Sequence, residues 1–397
     1  MSVTRLITHS FRNLCSASVD LHGELNFIIG ENGSGKSSVL EALFFIGHGK
    51  SFRTSRVDDI VCHDSKDFVV SIKDENNRQF GLSRDVSKGT TLIKIDGERH
   101  NRLSDLAQHI AIQIVTPESF KLFFGGPKER RRFVDLGMFH VKHSFPQQWK
   151  KFSRILKQRN ACLKVCNNSS DWNSVFRYWT EQFCKSSVEV AEIRQEYVAN
   201  LTIELDLWLA ILLPNIESRV RVQYLQGWPL TSNLDDALAN NKSREMNYGH
   251  SLYGAHKFDV KFLLDKRPIE TQLSRGQQKL FLLALTFAQA KLIERVERVK
   301  PIVLIDDVGA ELDNKSRSAL SKALSSIKCQ VVITAIERSV ISPFLQQLSC
   351  EGDYDDVNDI PGKLVQQPVE YYKMFHVEHG EISEIYLNDS ECKIQKV

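Results

Sequence analysis

The 397-residue chain is 42% hydrophobic, enough to bury one large core or two modest ones, and its 52 Lys and Arg against 49 Asp and Glu leave a net charge of only +3. Its eight cysteines are scattered with no C-x-x-C, which argues against a zinc site or a disulfide framework and fits a reducing, cytoplasmic compartment. No apolar run is long enough for a signal peptide or a membrane span, and the small net charge means that any nucleic-acid function must come from where the charges cluster.

Residues 2–30 read as short strands ending in Leu25-Asn26-Phe27-Ile28-Ile29, a buried apolar run that meets Gly30. A helix is predicted from Lys36 to about Ile46. Between them, Gly30-Glu31-Asn32-Gly33-Ser34-Gly35-Lys36-Ser37 fits G-x-x-x-x-G-K-[ST] in the required setting, after a strand and at a helix start. In such a loop the backbone N–H groups and the helix N-terminus cradle phosphates. Lys36 then meets the β and γ oxygens, and Ser37 completes a Mg²⁺ shell. The loop names a nucleotide but no task.

Alternating Phe68, Val70, Ile72, Ile93 and Ile95, with turns at Asn76-Asn77 and Asp96-Gly97, predict an antiparallel meander, and a further strand runs from Ile110 to Val115. The composition then changes. Leu136 to Ser170 contains no Asp or Glu over 35 consecutive positions. Trp149, Phe152, Ile155, Leu156 and Leu163 recur at helical spacing there, beside Lys150, Lys151, Arg154, Lys157 and Arg159. Exposed helices ordinarily mix both signs, so these five cations are the candidate phosphate contacts, and binding through them would be salt-sensitive and sequence-tolerant. A second periodic run, Trp172 to Leu213, spans roughly 60 Å if unbroken. The α/β pattern returns at about Asp259. The predicted division is therefore 1–130, a helical arm at 131–250, and 251–397.

In the last part, Leu273-Ser274-Arg275-Gly276-Gln277-Gln278-Lys279 opens an apolar helix, with serine and glycine where a helix N-terminus offers donors to an anion. Pro301 to Ile305 is an apolar strand ending in Asp306 and Asp307, placed to carry one carboxylate to Mg²⁺ and the other, as catalytic base, to an attacking water. Taken in this order, phosphate loop, L-S-x-G-Q and acidic strand, the motifs resemble the ABC ATPase superfamily.

Lys36 and Ser274 stand 238 positions apart (274 − 36), more than a transporter ATPase needs and too few for SMC coiled coils. Lys50-Ser51-Phe52-Arg53-Thr54, Pro127-Lys128-Glu129-Arg130-Arg131-Arg132-Phe133, Tyr253-Gly254-Ala255-His256-Lys257 and Phe375-His376-Val377-Glu378-His379-Gly380 are similar to segments of the RecF family. The resemblance implies an α/β fold: an ABC-type P-loop ATPase head with an antiparallel β subdomain and an inserted helical arm. It implies Ser274, Gly276 and Gln277 as a signature acting in trans on nucleotide held by a second copy. Asp313, after Glu311 and Leu312, would be the D-loop residue at the dimer seam, and Arg12-Asn13 a nucleotide-contacting element. It further implies ATP and Mg²⁺, slow hydrolysis, an ATP-dependent homodimer, double-stranded and gapped DNA as ligand, RecR and RecO as partners, and assistance to RecA loading and SOS induction. Ala335-Ile336-Glu337 stands where many ABC ATPases have a switch histidine, and Gln113 and Glu118 both remain open as the Q-loop residue. A transporter-type ATPase and a nucleotide-binding scaffold are the rival readings.

Overall fold

The structure is a computed structural model that describes residues 2–63, 65–165, 170–309, 312–342, 344, 372–386 and 393–396. They divide into two compact units, Met1–Ser119 with Trp208–Pro214 and Arg275–Val397, and Phe120–Leu207 with Asn215–Ser274.

The first unit opens with a hairpin, β1 (Val3–Phe11) and β2 (Leu14–Asp20), then the wholly buried β3 (Leu25–Ile29) and α1 (Lys36–His48). The predicted meander follows as β4 (Asp67–Asp74), β5 (Gln79–Asp85), β6 (Thr90–Ile95) and β7 (Glu98–His100), with Phe68, Val70, Ile72, Ile93 and Ile95 all buried on its inner face. These strands form a six-stranded antiparallel sheet in the order β2-β1-β4-β5-β6-β7. After α2 (Leu103–Ala107), β8 (Ile112–Val115) starts two residues later than the sequence pattern predicts.

In the second unit, α3 (Lys121–Phe124), α4 (Pro127–Val141), α5 (Phe145–Val165) and the long α6 (Ser170–Leu212), whose last residues from Trp208 are assigned to the first unit, are succeeded by β9 (Val220–Leu225), α7 (Leu234–Asn240), α8 (Lys242–Tyr248), β10 (Asp259–Leu264) and β11 (Arg267–Pro268). The boundary expected at 251 is thus displaced. β10 pairs antiparallel with β9 over six residues, Asp259 with Leu225 through Leu264 with Val220, so 251–274 belongs with the helices.

The first unit resumes with α9 (Arg275–Glu294), β12 (Ile302–Ile305), α10 (Asn314–Ser326), β13 (Gln330–Ala335), β14 (Tyr372–Glu378), β15 (Glu381–Tyr386) and β16 (Lys393–Lys396). Its second sheet has the order β16-β15-β14-β3-β13-β12-β8, parallel from β14 to β8 and antiparallel at the other end. α1 packs against β1, β4 and β5 of one sheet and β8 and β13 of the other. That double contact explains why the helix is apolar nearly all round, with 11 of its 13 residues buried, rather than amphipathic.

Arginine side chains tie the second unit together. Arg194 is fully buried, donates to Asp135 Oδ1 at 3.0 and 3.1 Å and to the Ala255 carbonyl at 2.6 Å, and lies 3.8 Å over the Phe258 ring. Arg130 forks onto Asp259 with two 2.8 Å bonds. The turn Ala255–Lys257 places His256 half-buried against Phe152 and Phe183. Burial pushes its imidazole down to about 4, against the opposing pull of the Ser251 carbonyl and with Lys257, Arg131 and Arg159 adding repulsion. An unfolded histidine titrates near 6.5, so this site's contribution to stability is complete above about pH 6.5 and is lost as pH falls towards 4, at most about 3 kcal/mol in all. Urea unfolding of the second unit at pH 7 and pH 4.5 checks this. His256→Gln should flatten the fall, and an unchanged slope excludes His256 as its source.

Candidate nucleotide-binding site

Three parallel strands bring the site together at their carboxyl ends. Register pairs Ile333 with Ile305 and Thr334 with Ile28, so the loop leaving β3, Thr334 at the end of β13 and Asp306 beyond β12 emerge on one edge of the sheet. They border a cavity of about 680 Å³ whose lining includes Arg12, Asn13, Lys36, Ser37, Asp306 and Asp307.

Two of the loop's three glycines answer to contacts. A Cβ on Gly30 would fall 2.3 Å from the Val377 carbonyl oxygen. Gly35 has φ +122°, and a Cβ there would come within 2.7 Å of the Asn13 amide. Asn13, reached through the tight β1–β2 turn, donates to the Ser34 carbonyl at 3.0 Å and accepts from the Ser38 hydroxyl at 2.8 Å. The Gly380 N–H donates to that same Ser34 carbonyl at 2.8 Å. Of the predicted loop residues, Asn32, Gly33, Gly35, Lys36 and Ser37 line the cavity, whereas Gly30, Glu31 and Ser34 do not.

Lys36 donates to the carbonyls of Gly30 at 2.6 Å and Glu31 at 2.7 Å, and burial lowers its ammonium pKa against the pull of Asp307 and Asp306. The Ser37 hydroxyl donates to Asp306, 3.0 Å from Oδ1 and 3.2 Å from Oδ2. Hydroxyl and carboxylate oxygens at this spacing are the hard donor set suited to Mg²⁺.

The two aspartates are held by a residue that the motifs did not single out. The Thr334 hydroxyl donates to Asp306 Oδ1 and accepts from the Asp307 N–H, each at 2.8 Å. Lys279 donates to the Asp307 carbonyl at 2.6 Å. Asp307 itself sits at φ +50°, a left-handed conformation that costs least for Asp, Asn and Gly, and its Oδ1 is buried without a hydrogen-bond partner. A fixed, strained backbone carrying an unsatisfied carboxylate oxygen at a cavity wall is an arrangement found at functional sites.

Glu41, the partner of the predicted Arg12, is a further residue that the motifs did not single out. Glu41, on α1 and fully buried, accepts from Arg12 at 2.8 and 3.0 Å, pairs with Arg53 at 3.5 Å and accepts from the Ser51 hydroxyl. The sequence signal was a single acid within the otherwise apolar Val39 to Ile46. Ile336, of the Ala335-Ile336-Glu337 segment that stands in place of a switch histidine, lines the cavity, and neither Gln113 nor Glu118 does. Gln113 is buried with its amide nitrogen unpartnered.

Ser274 is exposed immediately before α9, and Gly276 and Gln277 fall in its first turn; none of the three lines the cavity. Asp313 caps α10, accepting from the Ser316 N–H at 2.8 Å, a bond that holds its carboxyl below the usual range. Glu311 lies outside the described residues.

Of the five cations proposed for phosphate, four are exposed and Arg159 is not. Arg159 is 1% exposed, bonded to Glu245 at 2.7 Å, Ser251 at 2.6 Å and Thr180 at 3.2 Å. Helical phase is the reason. Position 159 follows Phe152 by seven and Ile155 by four, on the buried face of α5, whereas 150, 154 and 157 lie on the opposite one. This candidate contact is therefore withdrawn.

The two-sheet architecture and the glycine loop at the ends of its parallel strands define a P-loop head of the ABC and SMC type. The sequence matches the family described as RecF/RecN/SMC N terminal domain over residues 2–350. It is 62% identical over 382 residues to the DNA replication and repair protein RecF of Colwellia psychrerythraea strain 34H, covering 96% of this chain and 97% of that protein. It is 37% identical over 388 residues to RecF of Shewanella loihica strain PV-4, covering 97% and 100%. A solved structure of the recombination mediator protein RecF with ATP, in the RecFOR pathway, is similar in fold with a TM-score of 0.75 at 20% identity, over 97% of this chain and 98% of that one. The chain belongs to the RecF family of DNA replication and repair proteins.

Proposed function

We propose that this chain is an ATP-driven, DNA-binding switch in which two heads close on two ATP molecules around DNA and slow hydrolysis reopens them. The observation that carries the reading is the meeting of Lys36, Ser37, Asp306 and Asp307 around one cavity, with Thr334 fixing both carboxylates. The loop N–H groups and Lys36 bind the phosphates, while Arg12 and Asn13 complete the nucleotide's surroundings. Ser37 and Asp306 would hold Mg²⁺, which when bound supplies charge neutralisation on the β and γ phosphates. Asp307 orients the attacking water and takes its proton.

The exposed Ser274, with Gly276 and Gln277, reaches the γ-phosphate of the second copy, and Asp313 lies at the seam. Closure then depends on ATP, because the terminal phosphate is the contact shared by both subunits. Lys150, Lys151, Arg154 and Lys157 contribute phosphate contacts to duplex or gapped DNA. Family membership supports RecR and RecO as partners in a pathway that assists RecA loading and SOS induction, in the cytoplasm.

Fluorescence anisotropy of labelled duplex and gapped DNA tests this, with ATP analogue or ADP across a salt series. Binding should tighten by at least about tenfold with the analogue and weaken steeply with salt. Ser274→Arg, which blocks trans closure, should bind equally weakly in both nucleotide states. Equal binding by the parent in both states overturns the switch and favours the scaffold or transporter reading.

A further inference from the structure

We propose that Cys15 and Cys62 are a redox modification site: a hydroperoxide joins them in a reversible disulfide that weakens nucleotide binding in the adjoining cavity. This adds regulation to the nucleotide-binding reading above and rests on it.

The two residues stand 47 positions apart (62 − 15) and meet through one residue of β1. Cys15 lies on β2 between the pairs Leu14–Phe11 and Ser16–His9, beside Ser10, whose φ of +52° departs from strand geometry. The Cys62 N–H donates to the Ser10 carbonyl at 2.9 Å, next to the bridge between Val61 and Phe11. Their sulfurs come to 3.6 Å. A disulfide is about 2.0 Å long, so a closing movement of roughly 1.6 Å makes the bond.

Exposure separates this pair from the other described cysteines. Cys15 is exposed and Cys62 half-buried, within reach of a small oxidant. Cys184 and Cys329 are buried, and burial pushes the Cys184 thiol up to about 12 and raises that of Cys329 as well. Burial also raises the Cys162 thiol. The thiolate is the reactive form, so these three are held back from oxidation.

The Cys15 sulfur attacks one oxygen of hydrogen peroxide: an S–O bond forms, the O–O bond breaks, and hydroxide leaves as water with the thiol proton. The Cys62 sulfur then attacks the sulfenic sulfur. The S–S bond forms, the S–O bond breaks, and a second water leaves with the Cys62 proton. Two thiols lose two electrons and one peroxide becomes two waters. Two thiols of the glutathione type reverse the reaction by exchange and end as a disulfide themselves. In a reducing compartment such a bond is transient, which suits a sensor rather than a structural brace.

The pair is placed to act on the nucleotide. Cys62 lines the cavity together with Val61 and His63, so a sulfur drawn towards Cys15 moves that wall. The ring closed by the bond contains β3, the phosphate loop and α1. The turn from β1 to β2 carries Arg12 and Asn13, and the Arg12 N–H already donates to the Ile60 carbonyl at 2.7 Å. Backbone bonds of this kind yield when a ligand enters. A covalent tie across the same two segments does not, so oxidation displaces and stiffens a wall that must fit around the nucleotide.

The test uses the full chain, reduced or treated with hydrogen peroxide, with non-reduced peptides mapped by mass spectrometry. The oxidised parent should lose two hydrogens in mass, remain a single chain on a non-reducing gel and yield the Cys15–Cys62 cross-linked peptide. It should bind a fluorescent non-hydrolysable ATP analogue at least about 5-fold more weakly than the reduced parent, with recovery in reductant. Cys15→Ser changes an exposed side chain outside the cavity lining and should bind as the reduced parent does, before and after peroxide. Because linkage is reciprocal, saturating analogue should shift the balance in a glutathione buffer towards the dithiol by the same factor. The proposal is overturned if peroxide leaves both thiols titratable, if it joins Cys15 to a second chain, or if reduced and oxidised parents bind the analogue equally. An equal loss of binding in peroxide-treated Cys15→Ser also overturns it, by assigning the effect to oxidation elsewhere. A reduced parent that binds no analogue counts against the proposed function instead, and the peptide map still decides the cross-link.

Discussion

Asp307→Asn should lower ATP turnover by about 10²- to 10⁴-fold while leaving nucleotide affinity nearly unchanged. The variant is isosteric, and Asn shares the tolerance of Asp for the left-handed backbone at φ +50°. The bonds that fix this backbone, from the Asp307 N–H to Thr334 and from Lys279 to the Asp307 carbonyl, use no side-chain oxygen of Asp307 and survive the change. What is removed is a negative charge able to accept a proton. Steady-state hydrolysis and equilibrium nucleotide binding, measured on one preparation, separate the two effects. Turnover at the parental rate would remove Asp307 from the role of base and leave the loop as a binding device alone.

The second large effect falls on stability. Arg159→Ala should cost about 3–5 kcal/mol, because it strands the fully buried Glu245 carboxylate without its cation. Glu245 would keep only the 2.7 Å bond from the Leu252 N–H, and Asn160 would keep Ser251. By contrast Arg154→Ala, five positions earlier on the exposed face, should fall within about 0.5 kcal/mol of the parent. Replacing both partners, Arg159→Met with Glu245→Leu, should recover most of the loss, since it removes the ion pair without leaving a charge behind. Urea unfolding of the three variants decides the matter. A cost for Arg159→Ala no larger than that for Arg154→Ala would mean that the buried pair contributes nothing.

The same arginine marks where the sequence was legible and where it was not. Local signals carried far: glycines at fixed offsets gave the phosphate loop, alternation gave the meander, and an apolar run ending in two acids gave β12 and Asp306-Asp307. Each depends on neighbours in the chain. Arg159 was misplaced because it was grouped by charge rather than by helical phase, and phase was already contained in Phe152 and Ile155. The boundary at 251 failed for another reason. A strand pattern at Asp259 shows that a strand exists but not which sheet it joins, and its pairing with β9 bridges more than thirty residues. Thr334 and Glu41 were missed because their roles exist only after folding. Thr334 meets Asp306 through the parallel pairing of β12 and β13, and Glu41 meets Arg12 and Arg53 through the packing of three separate segments.

Glu41 carries one more implication. It is a single buried anion shared by two cations, and both Arg12 and Arg53 also line the cavity. An isolated pair would be locked, because drawing its cation towards another anion would leave a bare carboxylate in a low-dielectric interior. With two cations on one carboxylate, either can lean towards an incoming phosphate while the other keeps Glu41 neutralised. The pocket thus holds a charge on loan: positive potential can be redirected towards a ligand without leaving a debt of uncompensated charge in the core.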